Sequence, residues 1–118
     1  MSKVKRKLTT ILATDCVGFS KRMDENEELT LENLKACRSI IDPQIKEFGG
    51  RIFYTAGDSV IAEFESPVEC VNAAIGFQKA INDRNNTLPE ESQLDWRVGI
   101  HLDDVIIEGD NVYGNGVN

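Results

Sequence analysis

Histidine is almost absent from this chain. A single residue, His101, stands among 118, which leaves little scope for His-based catalysis or a His-rich metal site. Basic charge is also in short supply. Lysine and arginine number 13 against 20 aspartates and glutamates, a net charge of −7. Such a surface argues against general nucleic-acid binding, but not against a single nucleotide whose charge is met by metal ions. Cysteine is limited to Cys16, Cys37 and Cys70, widely spaced and odd in number. That pattern argues against a disulfide framework and against zinc, and points to a reducing cytoplasm. No apolar run approaches a membrane span. The basic start MSKVKRK is followed by a strand-like run, which is not the pattern of a signal peptide. Repeats, low-complexity stretches and linkers are missing too.

What is present suits one soluble domain over residues 1–118. Hydrophobic residues make up 41% and charged residues 28%, enough for one core but not two. Residues 8–14, rich in Ile, Leu and Thr, predict a buried strand, and residues 17–23 a short helix. Leu34, Cys37, Ile41, Ile45 and Phe48 recur at spacings of three and four and predict a helix over 27–48. Pro43 should kink it, and Gly49 and Gly50 end it. Residues 51–56 and 59–64 form a hairpin, whose Gly57 and Asp58 suit a type II′ turn. Ser66, Pro67, Val68 and Glu69 read as a capping box. The helix after it carries Cys70, Ala74, Phe77 and Ile81 on one stripe and ends near Asn85. A polar loop over 87–93 leads to a strand at 96–101. A short partner strand at 105–107 is expected across a turn at Asp103 and Asp104. The order βαββαβ predicts an α+β fold, ferredoxin-like, with helices on one face of an antiparallel sheet. The first strand should lie beside the hairpin's first strand or close to it.

Asp15 and Asp58 carry the functional argument. Asp15 ends the run LTTILATD, and Asp58 sits in the hairpin turn. Each alone has an ordinary account, as a helix cap or a turn residue. Together, at neighbouring strand ends, they could share a divalent cation, because Mg²⁺ commonly takes one or two carboxylates plus substrate phosphates. The backbone N–H groups of residues 16–20 should be free beside them and favour phosphate.

These segments resemble the catalytic domain of class III adenylyl and guanylyl cyclases. The matching pieces are ATDCVGFS, AGDSVIAEF, WRVGIH with DVIIEGD, and YGNGVN, in the family's order and across almost the whole chain. The resemblance implies a nucleotidyl cyclase making a cyclic purine nucleotide from ATP, or from GTP, as a homodimer with shared active sites. It implies two Mg²⁺ or Mn²⁺ ions per site on Asp15, Asp58 and the backbone carbonyl of Cys16. It implies phosphate contacts from Val17, Gly18, Phe19 and Ser20, and a catalytic Asn118 that orients the ribose from the other subunit. The family's arginine lies four residues past that asparagine, so the arginine and the C-terminal helix and strands fall outside this chain. The chain on its own is therefore expected to be inactive.

Two departures concern the base. The family's adenine-selecting lysine and aspartate fall on Tyr54 and Asn111, and neither fits the usual guanine pair. Asn can still donate and accept at a purine edge. These changes keep open a different class of function, a non-catalytic cyclase-like regulatory or dimerisation module. A receiver domain is disfavoured by the hairpin around Asp58, and a diguanylate cyclase by the missing glycine-rich acidic signature at 57–64. Ordinary roles are expected for the rest: a solvated arm at Lys3, Lys5, Arg6 and Lys7, a small buried Cys16, a surface His101 ending a strand, and a core or interface Trp96.

Overall fold

The computed structural model describes residues 4–114. Five strands form one antiparallel sheet in the order β2-β3-β1-β4-β5. They are β1 (Val4–Cys16), β2 (Arg51–Ala56), β3 (Ser59–Phe64), β4 (Trp96–Glu108) and β5 (Asn111–Tyr113). Helices α1 (Phe19–Glu25), α2 (Glu27–Glu47) and α3 (Pro67–Asn85) complete the α+β fold, with a 3₁₀ turn at Glu90–Ser92 inside the expected polar loop.

The helices form where the sequence marks their ends. Asn26 Oδ1 accepts from Leu29 N–H at 3.1 Å and caps α2. Glu27 and Glu28 follow in its first turn, where the helix dipole favours them. The helix continues through Pro43. It stops where Gly49 takes φ 82° and Gly50 N–H reaches back to Ile45 O. Ser66 Oγ accepts from Glu69 N–H at 3.2 Å, with Pro67 opening α3. Only that half of the expected capping box forms among the hydrogen bonds, since Glu69 Oε1 accepts from Asn72 instead.

Two apolar layers sandwich the sheet. One face packs Leu12, Cys16, Val60, Ala62, Phe64 and Trp96 against Leu34, Cys37 and Ile41 of α2 and Cys70, Ala73, Phe77 and Ile81 of α3. Arg84 Nη2 donates to Asn33 Oδ1 at 2.8 Å and ties the two helices together. On the other face Ile11, Val105 and Val112 form a second cluster, joined by Phe53, Ile61 and Ile107. This cluster takes in side chains from both edge strands, Phe53 from β2 and Val112 from β5, so the sheet curls around it.

The first strand lies close to β2 but not beside it, since it pairs with β3. Two expectations are corrected. The thirteen residues of β1 reach back through Lys5, Arg6 and Lys7, so this basic start is paired strand and not a free arm. Arg6 lies 3.1 Å from Asp104 and Lys7 3.5 Å from Glu65, which offsets charge along the exposed start of this strand. Finally, there is no turn at Asp103 and Asp104. Both lie inside β4, opposite Thr9 and Leu8 of β1, and His101 is mid-strand. The turn comes at Gly109, φ 62°, and residues 105–107 belong to β4 itself. Its partner on that side is β5. The long β1–β4 pair makes the molecule 52 Å in its longest dimension.

Candidate active site at the end of the first strand

Asp15 and Asp58 are brought to one corner by strand register. Strands β1 and β3 pair with Thr14 opposite Val60. Continuing that antiparallel register by two residues sets Cys16 beside Asp58. The contact is made: Cys16 N–H donates to Asp58 Oδ2 at 2.8 Å. Gly57, φ 57°, supplies the positive φ that lets the hairpin turn present Asp58 there. The turn carboxylate is thus tied to the residue that follows Asp15.

Asp15 itself is held by a cation. It stands directly opposite Arg97 of β4. Arg97 Nε donates to Asp15 Oδ1 at 2.8 Å, and Nη2 to Oδ2 at 3.1 Å, a two-pronged pair. Asp15 raises the proton affinity of the Arg97 guanidinium, first through this hydrogen bond and then through charge, with a further contribution from Asp58. Arg97 was missed in the sequence. Its signal lay in WRVGIH, but only the β1–β4 register shows that it faces Asp15.

Cys16 is buried. Burial pushes its thiol up to about 12, and the Asp58 and Asp15 carboxylates add to the shift. Both carboxylates therefore act on this one position. The sulfur stays protonated near neutral pH and donates to Val17 O at 3.7 Å.

The phosphate expectation is modified. Cys16 N–H is spent on Asp58, and Val17 N–H donates to Asp95 O at 2.8 Å. Helix α1 begins only at Phe19, after Gly18 with φ 64°. Phe19 packs against the core and Ser20 is exposed. Beside this loop opens a cleft of about 350 Å³, lined by Val17, Gly18, Lys21, Arg22, Glu25, Glu90 and Glu91. Lys21 and Arg22, not foreseen, bring two cations to this lining beside the three acids. Arg22 is steadied by a 3.2 Å bond to Glu90 O.

The two positions expected to select the base lie on the edge strands. Tyr54 is exposed on β2 and Asn111 is exposed at the start of β5. Asn118 lies outside the described residues.

The donor set fits a hard divalent cation in part. One carboxylate is bonded to Cys16 N–H and the residue before Cys16 carries the other, yet the described residues hold no group of three or more acidic, Cys or His side chains placed for a metal. That is the composition expected where Mg²⁺ draws its remaining ligands from substrate phosphates and water.

The fold is that of a class III nucleotidyl cyclase domain. No protein-family model matches the chain. Among solved structures, the adenylate/guanylate cyclase/hydrolase of Silicibacter pomeroyi superposes with a TM-score of 0.89 at 33% identity, over 98% of this chain and 68% of that one. "Putative adenylate cyclase 3" of Rhizobium meliloti is 37% identical over 98% of the chain but only 20% of its own length. "Serine/threonine-protein kinase pkn2" of Myxococcus xanthus is 31% identical over 96% of the chain and 14% of its own length. This chain belongs to the class III adenylyl/guanylyl cyclase family, and it spans a fifth or less of those two full-length relatives.

Proposed function

We propose that this chain supplies the cation-holding part of a nucleotidyl cyclase site. The full protein would convert a purine nucleoside triphosphate, ATP in the first instance, to the 3′,5′-cyclic monophosphate and pyrophosphate. The observation that carries the reading is the 2.8 Å bond from Cys16 N–H to Asp58, which fixes the turn carboxylate next to Asp15. In the reaction the ribose 3′-oxygen bonds the α-phosphorus, its proton leaves, and pyrophosphate departs with the electrons of the broken P–O bond. Two Mg²⁺ or Mn²⁺ ions would supply polarisation of that hydroxyl and neutralisation of the triphosphate. Asp15, Asp58 and the Cys16 carbonyl would hold them. Val17 and Gly18 shape the adjoining cleft, with Phe19 and Ser20 opening the helix behind it. Lys21 and Arg22 offer the phosphates positive charge.

A homodimer completes this reading. Asn118 of one subunit would orient the ribose at the site whose cations the other subunit holds, and Tyr54 and Asn111 would read the base. Its setting would be cytoplasmic signalling. The test uses a longer protein that extends past Asn118, assayed with ATP and with GTP in Mn²⁺. Asp58→Ala and Asn118→Ala should each be inactive, and mixing them should restore turnover in the heterodimer. A dead mixture would reject shared sites.

A second reading, a non-catalytic cyclase-like module, draws on the Tyr54 and Asn111 departures and on the Arg97 cation already seated on Asp15. It predicts no product from either nucleotide in the longer wild-type protein. Turnover gained only by Tyr54→Lys with Asn111→Asp would favour it. If the first reading holds, the same double variant should widen a narrow preference for ATP over GTP.

A further inference from the structure

We infer that Arg97 is a built-in competitor for the divalent cation: its guanidinium holds Asp15 in the cation-free protein and has to leave before a cation binds there. The inference rests on reading Asp15 and Asp58 as the cation site.

The two carboxylates are not in the same state. Asp58 is oriented by a neutral N–H through one oxygen. Asp15 has both oxygens engaged by one guanidinium, at 2.8 and 3.1 Å. A cation on those oxygens would stand within about 5 Å of the guanidinium charge, where repulsion is large in any surroundings less polar than bulk water. Guanidinium and cation therefore exclude each other at Asp15. Strand pairing builds this contact in, because Asp15 and Arg97 are directly opposite on β1 and β4. The latch is also easy to open. The Arg97 side chain is 70% exposed and Asp15 36%, and exposed pairs hold weakly against water and salt. A swing of the arginine side chain frees Asp15 without moving the backbone.

Binding of Mn²⁺ alone, read from the EPR amplitude of the free ion, tests the inference on the 118-residue chain without reference to turnover. Arg97→Gln should bind Mn²⁺ roughly fivefold tighter or more than wild type, the effect of removing one like charge at a partly solvated site. In the unmutated chain, the Arg97 Nε–H resonance should shift as Mg²⁺ is added, with the same midpoint as Mg²⁺ binding. Equal or weaker Mn²⁺ binding by Arg97→Gln, or an Arg97 Nε–H signal unmoved at saturating Mg²⁺, overturns the inference. If Asp15→Asn and Asp58→Asn still weaken Mn²⁺ binding in that case, the cation site itself stands. If those two substitutions leave Mn²⁺ binding unchanged, the cation site falls and the inference with it.

Discussion

Asp58 has two separable jobs, and single substitutions divide them. Its carboxylate accepts the Cys16 N–H in a partly buried position. Asp58→Ala leaves that donor without its partner and should cost about 1–3 kcal/mol of stability by chemical denaturation. Asp58→Asn keeps an acceptor oxygen and should cost much less. Both should abolish cation binding alike, since both remove the charge. Cys16 makes a different prediction. Its thiol rises from the ordinary 9.0 to about 12, and that of Cys70 to about 11, through burial. A proton-bearing group with a raised folded value stabilises fully below its unfolded value and loses that contribution as pH climbs. Stability should therefore hold below about pH 9 and fall progressively toward pH 12, with a shallower fall in a Cys16→Ala, Cys70→Ala variant. Denaturant midpoints measured across this range check it. The intact fold should also react slowly with thiol reagents at pH 8.

At the scale of the elements, the packing of α2 onto β3 turns on one residue. A methyl group on Gly50 would stand 2.5 Å from the Phe64 ring and 2.7 Å from Ile45 Cγ2. Both are fully buried in the main core, so neither can yield cheaply. Gly50→Ala should destabilise by about 1–3 kcal/mol, an overpacking cost. Gly99 on β4 is the control, because nothing lies within 4 Å of its added methyl. Gly99→Ala should be neutral or slightly stabilising, since alanine loses less chain entropy on folding. Thermal melts of the two variants separate these outcomes. The continuity of β4 has a consequence for the site. One unbroken strand carries Arg97 opposite Asp15 at one end and pairs with β5, which starts at Asn111, at the other.

The whole molecule leaves apolar surface in water. Val71 and Ile75 lie seven and three residues before Gln78, on the flank of α3 whose Gln78 Nε2 donates to Trp96 O of β4. They are exposed, as are Val68 on the same helix, Ile100 and Leu102 on β4, and Leu8 on β1. Clustered exposure of this kind drives association. The 118-residue chain should therefore self-associate with rising concentration in sedimentation velocity, and Ile75→Lys with Leu102→Lys should reduce it. The same chain should form no detectable cyclic nucleotide. Loss of one preorganised transition-state donor costs on the order of 10²–10³ in rate, and the family's arginine falls beyond Asn118. Product formed at a rate comparable to a protein extended past that arginine would reject this.

Local chemistry made much of this legible in advance. Helix ends were marked by Ser66, Pro67, Gly49 and Gly50, and helix faces by the recurrence of Cys37, Ile41 and Ile45, because capping and amphipathic period act within a few residues of the chain. The turn at Gly57 and Asp58 was legible for the same reason. Register between distant strands left no such mark. Whether residues 96–108 run as one strand or bend at Asp103 depends on thirteen pairings with β1, and the basic start became strand through those same pairings. Sequence supplied the two aspartates and the motif around Arg97. Only the sheet, through hydrogen bonds between residues 82 and 42 positions apart, decided that Arg97 faces Asp15 and that Asp58 rests on Cys16.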